Sequence, residues 1–238
     1  MPDDPPPSSC TGTMLRKKRV SKRLKRLFPL HIRNVVNFDA QGLYSTTEYE
    51  IAQSMTGILV NACVLHTGHR ACSSDIVDGT AGIGGNSISF ANLFRAVNAF
   101  ELDYGRWMLL HKNIGRLGLG SAVSCVHGNF LTYQEVGLFR DTRVFFLDPP
   151  WGGLSYKRKA QLRLHLSGVP LHEVVNRMLS DDASICGLKV PYNFALGHFS
   201  ENLDPRVQVR YISRYKHVWL VVCYLHPPPA PGDSVSGG

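Results

Sequence analysis

No two of the six cysteines in this 238-residue sequence form a Cys-x-x-Cys pair; they are scattered at positions 10, 63, 72, 125, 186 and 223. That excludes a disulfide scaffold. Cys125, Cys186 and Cys223 sit in apolar runs, where a free thiol packs as a small hydrophobe, and a reducing intracellular compartment is the expectation. Long apolar runs are also absent. The longest, Val218–Leu225, has the length of a strand, far short of the ~18 residues that span a bilayer, so no membrane segment is expected. The opening Met-Pro-Asp-Asp-Pro-Pro-Pro lacks the charged-then-apolar form of a secretion signal. No internal repeat occurs. Acidic residues are missing from Met14–Arg33, which carries nine basic ones: Arg16, Lys17, Lys18, Arg19, Lys22, Arg23, Lys25, Arg26 and Arg33. The rest of the chain is nearly neutral, so this segment accounts for the net charge of +8. Such a tract favours a polyanion through counterion release, or is read as a nuclear address, or is simply a solvated tail.

What is present suits one α/β domain: 44% of residues are apolar and 18% charged. Residues 1–13 and 226–238, rich in Pro, Ser and Gly, have too little apolar surface to order themselves. Between them, β-rich runs alternate with helical ones. Glu48–Leu65 has helical apolar spacing. Asp75–Asp78 reads as a first strand, Asn86–Phe94 as a helix, and Ala96–Leu102 as a second strand. A helix capped by Asp103 runs to about Arg116, followed by strands Ala122–His127 and Arg143–Leu147. Leu171–Leu179 reads as helix and Ala183–Val190 as a fifth strand. Val207–Arg214 and His217–Leu225 form a closing hairpin broken at Tyr215-Lys216. The expected fold is a mostly parallel, doubly wound sheet with a C-terminal antiparallel hairpin and a small helical N-terminal extension. The expected domain is 26–226, with the extension at 26–70 and tails at 1–25 and 227–238.

Four motifs fall at strand ends, where such sheets bind ligands. Asp78-Gly79-Thr80-Ala81-Gly82-Ile83-Gly84-Gly85-Asn86 follows the first strand. Its spacing is not the GxGxxG of a dinucleotide site, and the acid before it disfavours a pyrophosphate. An acid plus a glycine loop suits S-adenosylmethionine, whose amino-acid end carries an ammonium; a purely structural turn is the alternative. Asp78, Thr80, Gly82, Gly84 and Asn86 are therefore candidate cofactor residues. Glu101, 23 residues past Asp78, can accept both ribose hydroxyls. Asn129, after the third strand, can bond an adenine edge and Phe130 can pack on its face, or Asn129 simply makes a turn.

The fourth motif, Asp148-Pro149-Pro150-Trp151-Gly152-Gly153, ends the fourth strand. The prolines remove donors and stiffen the loop. An amino group on a purine or pyrimidine is a poor nucleophile because its lone pair is delocalised into the ring. Acceptors from Asp148 and the Pro149 carbonyl would hold its hydrogens and favour the pyramidal geometry of attack. Trp151 offers a stacking face worth ~1–3 kcal/mol, more for a cationic base. Gly152 and Gly153 leave room for the ring. A stiff turn with a core Trp is the alternative.

These residues resemble the trimethylguanosine synthase family, which methylates the exocyclic N2 of a 7-methylguanosine cap. The likeness runs from about Arg26 to Asn193. It takes in Arg26-Leu27-Phe28, Phe38-Asp39, Gly42-Leu43-Tyr44-Ser45, Ile51-Ala52, the Asp78–Asn86 loop and Ser87–Ala91. It continues through Glu101-Leu102-Asp103, Gly128-Asn129-Phe130, the Asp148–Gly153 loop and Pro191–Asn193, which matches the family's Pro-Arg-Asn. The resemblance implies an S-adenosylmethionine-dependent, Rossmann-like class I methyltransferase. It implies Trp151 stacked on the cationic base, Asn193 on the substrate side, and residues 26–60 helping to close the site. Glu101 and Asn129 stand where aspartates are usual, and Leu43 where Trp is expected. Tyr192 replaces the Arg expected on the cap phosphates, so phosphate contacts are assigned to Lys157, Arg158, Lys159 and Arg163, unless those form only a solvated basic face. Cys63, His66, His69 and Cys72 could not easily converge on zinc, and no metal is expected.

The reading is therefore cap-guanine N2 methylation by a monomer, with 7-methylguanosine-capped RNA as partner, in the nucleus, with the cytoplasm as a second location to consider. Methylation of guanine N2 or adenine N6 inside RNA or DNA is the alternative, and a non-catalytic RNA-binding protein on the same fold is a second.

Overall fold

Successive residues of each central strand point to opposite faces of the sheet, and here both faces are apolar. In β1 (Asp75–Asp78) Ile76 enters one core and Val77 the other; in β4 (Val144–Leu147) Phe146 and Phe145 divide the same way. A sheet buried on both sides needs helices on both sides. The first core is covered by α3 (Tyr49–Thr67), α4 (Gly85–Phe90) and α5 (Tyr104–Arg116), through Met55, Leu59, Phe90 and Leu110. The second is covered by α6 (Phe130–Glu135), α7 (Leu171–Met178) and α8 (Leu196–Glu201), through Leu131, Val174, Val175 and Phe199. The computed structural model describes residues 17–68, 70–135, 142, 144–179 and 185–225. The tails expected at 1–13 and 226–238 lie outside them.

The remaining strands of the main sheet are β2 (Ala96–Glu101), β3 (Val123–His127), β7 (Ile185–Pro191), β8 (Val207–Tyr215) and β9 (Val218–Leu225). Their order is β3-β2-β1-β4-β7-β9-β8. β1 to β4 and β7 are parallel, and β9 runs antiparallel to both β7 and β8. This is the expected Rossmann-like sheet with its terminal hairpin. Strand order reverses between β1 and β4, which opens a crevice beyond their carboxyl ends. A separate small hairpin, β5 (His165–Leu166) and β6 (Val169–Pro170), turns through Ser167 and Gly168, both at positive φ. Sequence reading had no account of it, nor of α6 or α8.

Two boundaries moved for local reasons. The helix expected over 86–94 stops at Phe90 because the following amides tighten: Asn92 N–H reaches Ser89 O and Leu93 N–H reaches Phe90 O. The hairpin turn is Lys216-His217 rather than Tyr215-Lys216, with Lys216 at φ 46°. The expected fifth strand begins, among the described residues, at Ile185.

The tail expected to end at 25 is a larger difference, since that boundary falls inside α1 (Lys17–Leu27). Leu27 and Phe28 are buried at its end. Arg23 fastens it to the end of α2 (Ala40–Ser45): Nε donates to Leu43 O at 3.1 Å and Nη2 to Tyr44 O at 3.1 Å and Thr46 O at 3.3 Å. Arg23 and Arg26 both pair with Glu48. Net charge hid this helix. Its order comes from tertiary partners that composition cannot show.

Candidate active site

The loop after β1 is held from inside. Asp78 is fully buried; its Oδ2 accepts from Ser87 Oγ at 2.7 Å and its Oδ1 from Thr80 N–H at 3.3 Å. Burial pushes its carboxyl up to about 7, against those two bonds, with Asp148 and Glu101 adding repulsion. Sequence reading aimed Asp78 at a ligand ammonium. Instead both oxygens serve the loop, so its direct role is to fix the glycine turn. Gly84 caps α4 at φ 101°, a conformation glycine adopts without strain. Gly85 meets the N-terminal extension: a Cβ there would stand 2.5 Å from Thr46 Cγ2. Residues 40–47 thus press directly on the loop.

At the end of β2, Glu101 is nearly buried and accepts Gly82 N–H through Oε2 and Asp103 N–H through Oε1, each at 2.9 Å. Arg106 Nε also approaches Oε1 at 3.4 Å, which leaves Oε2 the freer oxygen for a ligand's hydroxyl. Asp103 caps α5 by accepting Arg106 N–H at 2.9 Å, as expected. Asn129 lies at the end of β3, but its Oδ1 accepts Leu131 N–H and Ser167 Oγ–H, both at 3.2 Å, which is the turn-and-cap alternative. Phe130 departs from its expected place: it is 2% exposed, edge-on to Phe100 in the second core, and offers no free face. Leu102, 60% exposed beside Glu101, is the open apolar surface at this end.

Asp148 follows β4 across the crevice. Its backbone N–H donates to Thr80 Oγ1 at 2.6 Å, joining the two loops. Its Oδ2 accepts from Lys189 Nζ at 2.5 Å. Burial pushes the Asp148 carboxyl up, and Lys189 opposes that shift. Pro149 is buried and Pro150 exposed. Trp151 is half-buried, with Tyr156 edge-on at 5.2 Å and Lys189 Nζ 5.3 Å from its ring centroid. Gly152 and Gly153, both at positive φ, lead into a short helical turn, Gly153–Arg158. Asn193 donates to Tyr156 O at 2.9 Å and Lys159 O at 2.7 Å, so it supports the Trp151 loop from behind. Lys157, Arg158, Lys159 and Arg163 are exposed around it, with Lys157 over the Tyr156 ring. Tyr192 is 40% exposed near His217.

Among the described residues, four buried polar atoms at this place lack a hydrogen-bond partner: Asn86 Oδ1, Thr47 Oγ1, Trp151 Nε1 and Asn193 Oδ1. Such atoms are costly unless something polar satisfies them. Asn86 Oδ1 at the start of α4 and the Glu101 carboxylate fit a cofactor with polar ends on the glycine-loop side. Trp151 Nε1 and Asn193 Oδ1 belong to the Asp148–Gly153 loop and the residue that supports it. Residue reading missed Lys189 and Thr47. Lys189 carried a signal: a lysine inside Ile-Cys-Gly-Leu-Lys-Val-Pro, an otherwise apolar strand, requires a buried partner. Of the rejected zinc set, Cys63 is buried near Ser74 and His66 stacks on Tyr224 at 4.0 Å. His69 and the Cys72 side chain lie outside the described residues.

Comparison with known proteins gives a consistent picture. A family model described as RNA cap guanine-N2 methyltransferase matches residues 73–227. An uncharacterized protein of Acanthamoeba polyphaga mimivirus is 32% identical over 186 residues, covering 71% of this chain and 72% of that protein. The trimethylguanosine synthase of Schizosaccharomyces pombe is 29% identical over 130 residues, 53% of this chain and 51% of that enzyme. The match thus spans about half the length of that relative. Among solved structures, the human methyltransferase 10 domain containing protein aligns with TM-score 0.60 at 13% identity, over 88% of this chain and 99% of that one. This last likeness concerns the fold alone.

Proposed function

Since the chain belongs to the RNA cap guanine-N2 methyltransferase family, we propose that it methylates the exocyclic N2 of a 7-methylguanosine RNA cap, using S-adenosylmethionine. The observation that carries this reading is that the half-buried Trp151 ring and the Asp148 carboxylate, on one loop at a strand end, both stand against the Lys189 ammonium. An aromatic face suits a base, and best a cationic one; a carboxylate suits an amino group.

When bound, S-adenosylmethionine supplies a methyl group on a positively charged sulfur. The residues suited to hold it are the Gly82–Asn86 turn and Glu101, with Asp78 fixing the turn from below. Asp148 and the Pro149 carbonyl accept the amino hydrogens, which turns the nitrogen lone pair out of conjugation. Trp151 stacks on the base, and Asn193 holds the Trp151 loop from behind through Tyr156 O and Lys159 O. Lys157, Arg158, Lys159 and Arg163 face its phosphates in place of the Arg that Tyr192 replaces. The chain's main contribution is to hold these groups at near-attack geometry.

The test is methyl transfer from labelled S-adenosylmethionine onto two short capped RNAs, with and without 7-methylation, by wild type and Trp151→Ala. Label on the 7-methylated cap alone, lost in the variant, is the expected result. Equal labelling of both RNAs overturns the cap reading in favour of a broader amino-methyltransferase.

A further inference from the structure

Every residue of β7 is buried, and Lys189 is the one lysine buried among the described residues. Its ammonium meets three groups from two parts of the chain. It donates to Asp148 Oδ2 at 2.5 Å and to Ser45 O at 3.4 Å, and stands 5.3 Å from the Trp151 ring centroid. Further ionisable groups at this end of the sheet are Asp78 from β1, whose carboxyl is pushed up to about 7, and Glu101 from β2, which Arg106 of α5 pairs at 3.4 Å. Thr80 and Ser45 contribute neutral polar contacts. Among the described residues, Lys189 is the cation ion-paired with Asp148.

We propose that Lys189 is a positioning residue for amino-group methylation: its ammonium aims the Asp148 carboxylate into the crevice and supplies the counter-charge that lets it accept a base's amino hydrogens. This rests on reading the Asp148–Gly153 loop as a base-methylating site. In that reaction the nitrogen lone pair forms the N–CH3 bond, the old bond pair stays with sulfur, and the proton shed by nitrogen goes to water. Asp148 must begin the cycle unprotonated, because a protonated carboxyl offers the amine a competing donor. Burial works against that state, and the Lys189 ammonium, in contact with Asp148 Oδ2, opposes that effect. Stability alone would not call for a lysine here, because a buried ion pair is often matched by an apolar substitute.

The experiment titrates Asp148 directly, without substrate. Aspartate is labelled with carbon-13 at the carboxyl, and the Asp148 signal is assigned by its loss in Asp148→Asn. In Lys189→Met the midpoint should rise by about 1–3 pH units, while Lys189→Arg should stay near wild type. Lys189→Gln keeps a donor without charge and should follow Met, which preserves the test should Met fold poorly. The acid limb of methyl transfer to 7-methylguanosine-capped RNA should move with the midpoint. Lys189→Met should lower the rate by no more than about twofold in an Asp148→Asn background. An unchanged midpoint in both Lys189→Met and Lys189→Gln, or an undiminished loss in the Asp148→Asn background, overturns the proposal. Failure of wild type to methylate any cap would instead remove the substrate reading, and the titration would still decide the role of Lys189.

Discussion

Thr80 Oγ1 accepts the backbone N–H of Asp148 at 2.6 Å. This single bond joins the loop that ends β1 to the loop that ends β4, across the point where the strand order reverses. Thr80→Val keeps the shape and removes the acceptor, leaving the Asp148 amide unpaired. We expect a stability loss of about 1–3 kcal/mol and a kcat/KM lowered roughly 10- to 100-fold by displacement of Asp148. Thr80→Ser should restore both. Thermal unfolding and steady-state transfer kinetics measure the two effects separately.

Asp78 gives a pH signature. Its folded carboxyl titrates at about 7, above its ordinary 3.8, so the folded state binds the proton more tightly than the unfolded one. Its contribution is fully present below the ordinary value and is lost as pH rises to about 7, then stays flat. Asp78→Asn removes that loss. The variant's melting temperature should exceed that of wild type at pH 8 by more than it does at pH 5, and equal differences at both would refute the assignment.

The contact between the extension and the glycine loop can be tested by a paired substitution. Gly85→Ala drives a methyl to 2.5 Å from Thr46 Cγ2, and should cost about 1–3 kcal/mol through overpacking. Thr46→Ser removes that Cγ2 and keeps the hydroxyl that bonds Gly42 O. The double variant should recover most of the loss in urea unfolding. If it does not, the extension does not press on the loop.

Trp151→Ala should weaken binding of 7-methylguanosine triphosphate by about 1–3 kcal/mol, measured by calorimetry. Binding of S-adenosylmethionine should change little, because its candidate residues lie on the other wall of the crevice.

Arg23→Ala should release α1. Its guanidinium satisfies the Leu43, Tyr44 and Thr46 carbonyls and pairs with Glu48. Lysine, a single point of charge, should not replace that planar fork. Faster proteolytic cleavage within 17–27 in both Arg23→Ala and Arg23→Lys is the expected outcome.

The sheet was legible because alternation of period two and glycine turns are local signals: Asp75–Asp78 before its glycines and Arg143–Leu147 before Asp-Pro-Pro already implied parallel strands ending at a site. The residue types at that site were legible for the same reason. Which way each side chain turns was not. Asp78 and Phe130 have the chemistry of ligand contacts, yet one is consumed by Ser87 and Thr80 and the other by the core. Both outcomes depend on partners distant in sequence. The helix α1 was hidden because its charge disfavours order until Arg23 meets carbonyl groups some 20 residues away.

That same attachment sets an order of opening. The carbonyls at the end of α2 are satisfied not within their own helix but by a guanidinium on α1, whereas the strands of the main sheet are buried on both faces by two cores. Amide protons of residues 17–48 should therefore exchange with solvent through local release, long before those of β1, β4 or β7, which wait for global unfolding. The wall that carries Thr46 and Ser45 is then the thermodynamically softest side of the crevice, able to open while the main sheet stays intact.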